Sequence, residues 1–323
     1  MKKNFILLLV TMCVFALSSC GSDEPSNPIN PSPKDPSTNT TDVAVSGTVE
    51  ETGAFHAVIN GVVNLDAITA SYSTVEIGVE WSTSDLFSTK QRVEASGVTG
   101  RKFRVRVIPL LPNTKYYYRT YVSISSLSYD YYGETYSLTT KKMTESDKIV
   151  DLGLPSGTLW AAMNIGANSI EGYGDYFAWG ETSPKSSYTS DNYMGNDITS
   201  AELPVGRDAA TANLGSDWRM PSLDQIKELI SECNWQRATL NGINGQLATS
   251  KRNSNFIFLP AAGFRGGTSY GAGSYGYYWS RTRNDSYRAY NLCFHLVGVC
   301  YDDNGIDDRS GGLSVRAVRV SKN

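Results

Sequence analysis

Apolar and polar residues change rhythm three times along this chain. Residues 5–17 form an apolar run, interrupted at Thr11 alone, behind Lys2 and Lys3, and residues 21–42 hold almost no apolar side chains. From residue 43 onward, short apolar–polar alternations are cut by Gly, Asn, Asp and Pro. Alternation of period two predicts half-buried strands. It places them at 43–50, 55–65, 74–81, 102–108, 115–124 and 131–140. Strands at that density over residues 43–141 predict a two-sheet sandwich. Lys141 to Lys148 reads as a short charged hinge, and residues 148–322 as a loop-rich α+β module. One helix is readable there: Ser222 as N-cap, then Leu223, Ile226, Leu229 and Ile230 at helical spacing, with Asp224 near the positive end. The expected fold class is β-rich and multidomain, a β-sandwich followed by an α+β domain.

Composition agrees. A chain of 323 residues has room for about two domains with separate cores. Its 20 Tyr and 29 Gly, with 19% charged residues, favour strands and loops over helical bundles. A net charge of −3 and the lack of a basic stripe argue against a nucleic-acid partner.

Residues 1–19 read as a signal peptide, too short in its apolar part to span a bilayer. Leu17-Ser18-Ser19-Cys20-Gly21 resembles the lipobox of bacterial lipoproteins, which implies that Cys20 carries the lipid. Ser22-Asp23-Glu24 resembles the surface-export signal of lipoproteins in Bacteroides-like bacteria. Those resemblances imply a surface-exposed protein of the outer membrane, touching the membrane only through its anchor. Residues 20–42, with Pro25, Pro28, Pro31, Pro33 and Pro36, read as an extended tether.

Two further resemblances concern the folded part. Leu110, Pro112, Thr114 and Tyr116 resemble the corner motif of fibronectin type III domains, which implies that Tyr116 returns its hydroxyl to the backbone. The sandwich shows no chemistry and reads as a spacer. The blocks Val150–Ala161, Gly172–Thr182, Trp218–Ser222, Phe258–Arg265, Tyr275–Ser280 and Val315–Arg319 resemble the Fibrobacter succinogenes major paralogous domain. That likeness implies a C-type-lectin-like fold, related in shape to the formylglycine-generating family. Trp160, Trp179, Trp218, Trp235 and Trp279 read as core, and Arg219-Met220-Pro221 as a rigid lead into the helix.

Catalysis needs positioned nucleophiles, acids and bases. The chain's two His, His56 and His295, fall in different domains, and His56 reads as an ordinary strand residue. Cys233, Cys293 and Cys300 permit at most one disulfide and lack metal-ligand spacing. Asp302 to Asp308 does not follow the grammar of a calcium loop. The expectation is no enzyme, no metal and no cofactor, with a formylglycine-generating-like enzyme as the least favoured alternative.

Residues 281–320 contain no Lys, Glu, Gln, Met or Trp, although the chain holds 6 Met and 6 Trp. Those five are the amino acids that no codon ending in a pyrimidine encodes. The depletion resembles the variable segments of proteins diversified by retroelements, where adenine randomisation leaves this alphabet. From Asn291 to Tyr301 the pattern alternates, turning Leu292, Phe294 and Leu296 in, and Asn291, Cys293, His295, Val297, Val299 and Tyr301 out. The predicted ligand-binding residues are Tyr287, Tyr290, His295, Val297, Val299, Tyr301, Asp302, Asp303, Asn304, Ile306, Asp307 and Asp308. The partner is expected to be a protein or glycan met at the cell surface, and an invariant adhesin or glycan-binding lipoprotein is the alternative to a diversified receptor.

Overall fold

A computed structural model describes residues 43–65, 75–266, 269–295, 298–299 and 305–320. Cys20 and the tether lie outside the described residues. The first eight strands are β1 Ala44–Thr52, β2 Ala57–Val63, β3 Val75–Ser82, β4 Gln91–Glu94, β5 Lys102–Val107, β6 Lys115–Ile124, β7 Tyr129–Tyr132 and β8 Tyr136–Thr139. They form two antiparallel sheets, β1-β2-β5 and β4-β3-β6-β7, with β8 also paired to β6. The inner faces meet through Ile59, Val79, Trp81, Phe103, Val105, Tyr118 and Val122. Alternation found most of these strands. It missed β4, whose four residues bury little, and it merged β7 with β8 across Gly133.

Tyr116 closes the corner, its buried hydroxyl accepting a bond from the Leu111 amide at 2.9 Å. On the outer face of the second sheet the carboxylate of Glu80, fully shielded, receives Lys90 at 2.9 Å, Arg92 at 2.8 Å and Arg119 at 2.7 Å. Arg119 also lies over the rings of Tyr132 and Phe87, at 3.7 and 4.1 Å.

The rest of the chain adds β9 Ile149–Asp151, β10 Thr158–Ala161, β11 Tyr176–Phe177, helices α1 Ala209–Leu214 and α2 Leu223–Glu232, then β12 Cys233–Leu240, β13 Ile243–Ser250 and β14 Phe256–Pro260. After these come β15 Phe264–Arg265, β16 Ser269–Tyr270, β17 Tyr275–Arg283, β18 Arg288–His295, β19 Gly298–Val299, β20 Ile306–Asp308, β21 Leu313–Ser314 and β22 Val318–Val320. The largest sheet runs β11-β21-β17-β18-β19, with β20 also on β18. A second sheet is β12-β13-β14, and a third, β22-β10-β9, brings the end of the chain back to the start of this region.

Helix α2 begins where Ser222 caps it. The Ser222 hydroxyl accepts from the Gln225 amide at 3.2 Å, and the Gln225 side chain accepts from the Ser222 amide at 3.0 Å. Ile226 and Leu229 turn into a core shared with Trp160, Leu259, Tyr278 and Phe294. Helix α1 lacked an apolar period long enough to betray it. Its signal was the cap: the buried Asp208 accepts from Thr211 N at 3.0 Å and Met220 N at 3.1 Å. Trp160, Trp179 and Trp279 are fully buried, whereas Trp218 and Trp235 are only half-buried.

Among the described residues, two arginines lie in this core with no ion pair to a carboxylate. Arg316 donates to Asn164 Oδ1 at 2.9 Å and to the carbonyls of Ala161, Ala162 and Phe258 at 3.2, 2.8 and 2.8 Å. Burial pushes its guanidinium down to about 10. Arg309 donates to Tyr193 Oη at 3.0 Å and to the carbonyls of Ser286, Ile198 and Gly195, over the Trp179 ring at 4.5 Å.

The hinge is pinned at both ends. Lys141 N donates to Gly53 O at 2.9 Å, and Ala162 N to Lys148 O at 2.9 Å. Phe55, Ile108 and Leu111 at the end of the sandwich pack against Ala162, Leu240, Leu247 and Phe258. Residues 141–148 therefore connect the sandwich to the sheets that follow it, and the two parts pack on each other.

Arg316→Ala should cost about 3–5 kcal/mol in chemical denaturation, because three carbonyls and an amide oxygen lose a buried charged donor together. A loss below about 1 kcal/mol would mean that those acceptors find other donors. Glu80 supplies an acid-side signature. Burial alone would raise its carboxyl, but the hydrogen bonds from Lys90, Arg119 and Arg92 outweigh burial and hold it below its ordinary 4.5. A depressed carboxyl stabilises the fold above the unfolded value, and that contribution is lost as pH falls through the folded value. Glu80→Gln should thus lower the melting temperature at pH 7 and flatten its decline below pH 4.5.

Candidate functional site

The predicted binding stretch divides between core and surface. Tyr287 is 81% exposed at the tip between β17 and β18, where the Asp285 carboxylate accepts from its amide at 2.8 Å. Tyr290 and His295 are half-buried on β18, Ile306 and Asp307 half-buried on β20, and Asp308 exposed. Val297, Tyr301, Asp302, Asp303 and Asn304 lie outside the described residues. For Val299 only the strand position is described, opposite Phe294.

One expectation of exposure is corrected. Leu292 and Phe294 do face in, but Asn291 is buried, because Gly305 O accepts from its amide at 2.7 Å and its side chain donates to Asp307 at 2.9 Å. Cys293 lies on the outward side of β18 with His295 and is half-buried, as His295 is. Arg309, inside the depleted segment, is 1% exposed and belongs to the frame. The run from Asn291 to Tyr301 is also not one strand. β18 ends at His295 and β19 returns antiparallel to it from Gly298, so a single alternation does not carry across.

The geometry adds residues that alternation did not select. Tyr275 on β17 pairs with His295 on β18, and Tyr277 with Cys293. The rings of Tyr270 and Tyr275 stack at 6.1 Å, as do those of Tyr275 and Tyr277. Phe264 meets Tyr270 at 5.4 Å and Tyr277 edge-on at 5.5 Å, and His295 lies 4.7 Å from Tyr275. Five rings thus make one continuous, partly exposed face. Its signal in the sequence was Tyr275-Gly276-Tyr277-Tyr278, read as frame only: Tyr278 is indeed core, but its odd-numbered neighbours point the other way. Gly276 is required under this face, since a Cβ there would lie 2.1 Å from the Phe294 ring.

Beside the ring face opens a cleft of about 330 Å³, with Phe264 and Tyr188 on one wall and Arg288, Ile306, Asp307 and Asp308 on the other. Burial raises the Asp307 carboxyl; the Asn291 amide opposes that and the charge of Asp308 adds to it. Arg288 is held by Asp285 at 2.7 Å. The cleft therefore offers carboxylate acceptors beside apolar and aromatic surface. Such a mixture suits a ligand with both hydroxyl or amide donors and apolar patches.

Cys233 is buried and its thiol pushed up to about 12, far from thiolate. His56 bonds Glu51 in the sandwich at 3.0 Å. Among the described residues, no group of three or more His, Cys, Asp or Glu is placed to hold a metal ion. No described helix is long and apolar enough to cross a membrane.

Solved structures similar to this chain are fibronectin type III-like domains and sensor domains, at low identity over about a third of its length. The sensor domain of the anti-sigma factor RsgI4 of Pseudobacteroides cellulosolvens shares 13% identity, covering 32% of this chain and 91% of that one, with a TM-score of 0.24. A fibronectin type III domain of the human KIAA0970 protein shares 14%, covering 32% and 77%, with a TM-score of 0.25. That of human fibronectin type III domain containing protein 3 shares 13%, covering 33% and 93%, again with a TM-score of 0.25. No family model and no curated protein matches the chain.

Asp307→Asn should raise the melting temperature at pH 7 while keeping an acceptor for Asn291. A carboxyl raised by burial disfavours the folded state once pH climbs past its ordinary 3.8, so the gain should shrink toward that pH. An unchanged difference between pH 3.8 and pH 7 would remove Asp307 as its source.

Proposed function

We propose that this protein is a surface lipoprotein, anchored through Cys20, whose C-terminal domain binds a ligand and catalyses nothing. In this reading residues 43–141 are a fibronectin type III-like domain and residues 148–322 a C-type-lectin-like domain. One observation carries the assignment of a site. Ile306, Asp307 and Asp308, chosen from the depleted alphabet alone, line a cleft flanked by the five-ring face of Phe264, Tyr270, Tyr275, Tyr277 and His295. The ligand is a protein or glycan outside the cell, and fold likeness by itself says nothing of which.

Within this proposal, the diversified-receptor reading draws support from where the anchors sit. Arg309, Ala289, Leu292 and Phe294 are buried within the depleted segment, while Tyr287 and Asp308 are exposed. A variable surface needs such fixed positions between the changeable ones. An invariant adhesin would use the same face without any need for the depletion.

Protease applied to intact cells should remove both folded domains, whereas full protection would place the chain behind the outer membrane. On arrays of extracellular glycans and proteins, Tyr275→Ala and Asp308→Ala should each abolish most of the binding, and Arg104→Ala, on the sandwich, should not. Binding indifferent to both site variants would sink the assigned surface. The DNA tests diversification separately: codons for Val297, Val299 and Ile306, residue types that could also be encoded with a final purine, should end in C or T, with an adenine-bearing near-copy beside a reverse-transcriptase gene. A genome lacking that copy leaves the invariant adhesin.

A further inference from the structure

The docking of the two bodies creates a second recess, away from the ring face. It encloses about 720 Å³ and is lined from both sides, by the β3–β4 segment and the corner of the sandwich and by the β12–β13 turn of the C-terminal domain. Its floor is apolar: Trp81 and Tyr116, both 5% exposed, with Pro109 and Leu111. Its walls are polar, with Lys90 as their one charged side chain among the described residues. They carry the hydroxyls of Thr83, Ser88 and Thr89 and the amide of Gln91, with Thr239, whose hydroxyl donates to Asn244 Oδ1 at 2.8 Å, and Asn241, whose amide donates to Glu171 at 3.3 Å, all on exposed residues. Gln91 Nε2 donates to Thr239 O at 3.0 Å, so the two halves are bonded across the recess.

Charge narrows the ligand class. Lys90 is the one ionised residue in the lining among the described residues, and it is committed to Glu80 at 2.9 Å and to Tyr132 Oη at 3.2 Å. A cationic ligand would find no carboxylate in the lining. An anionic one would have to compete with Glu80 for the ammonium. Recesses of a few hundred Å³ between domains, with an apolar floor and a few convergent polar groups, are the usual form of a small-ligand site. Hydroxyls and amides that both donate and accept match a polyol.

The geometry points to this interdomain recess as a binding site for a short uncharged oligosaccharide, separate from the C-terminal surface. The sandwich is then a binding partner in its own right and not only a spacer. Because the ligand touches both bodies, it stabilises their docking as well as filling the recess.

The test titrates the mature chain with cellotriose, mannotriose and N-acetylchitotriose, with a trigalacturonate as charged control. At least one neutral trisaccharide should bind at a single site and raise the melting temperature. Ser88→Trp, which fills the recess from an exposed position, and Thr83→Ala, which removes one wall hydroxyl, should each weaken that binding, the former by roughly tenfold or more. Tyr275→Ala should leave it unchanged, so failure of the C-terminal surface and failure of this site are told apart. The inference is overturned if no neutral trisaccharide binds at millimolar concentration, or if only the uronate does. Binding lost in Tyr275→Ala but kept in both Ser88→Trp and Thr83→Ala would also overturn it.

Discussion

The C-terminal domain depends on one buried cation. Arg316, just before the last strand, bonds Ala161 at the end of β10, Ala162 and Asn164 just past it, and Phe258 in β14. Taking a guanidinium out of water costs several kcal/mol unless nearly every donor is satisfied. Here the acceptors are four oxygens from two distant parts of the chain, and no other element supplies them all. The arrangement is specific more than it is strong. A Lys could not reach four acceptors with one planar fork, and an apolar residue would leave the carbonyls of a loop-rich fold without donors.

Much of this architecture was legible because burial in sheets leaves a period. Ile59, Val79, Val105 and Val122 announce their strands by alternation, and Ser222 with Gln225 announces a helix by its cap. What stayed hidden had no period to show. Helix α1 is six residues held by Asp208, and β4 is four residues held by partners more than by burial. Asn291 misled for the opposite reason. Polar side chains are normally read as outward, but this one is fixed by Gly305 and Asp307, whose contacts come from outside its own strand.

The candidate surface shows the same division. Ile306 and Asp308 were visible through composition, since an alphabet depleted of five residue types is a property of the text itself. Tyr270, Tyr275 and Tyr277 were not, because a row of stacked rings arises only when β16 and β17 are folded against β15 and β18. The contact between the sandwich and the second domain was equally silent. Phe55, Ile108 and Leu111 look like ordinary strand-end residues until Leu240 and Phe258 are set opposite them.

The clamp on Asn291 has a consequence for register. Gly305 O accepts from the Asn291 amide and the Asp307 carboxylate from its side chain, while β20 pairs with β18 from Tyr290 opposite Ile306 to Arg288 opposite Asp308. A slip of one residue between paired strands turns every side chain to the opposite face. Here such a slip would also break both bonds to Asn291 at once, so a single buried amide decides which side chains of β20 are turned toward the cleft.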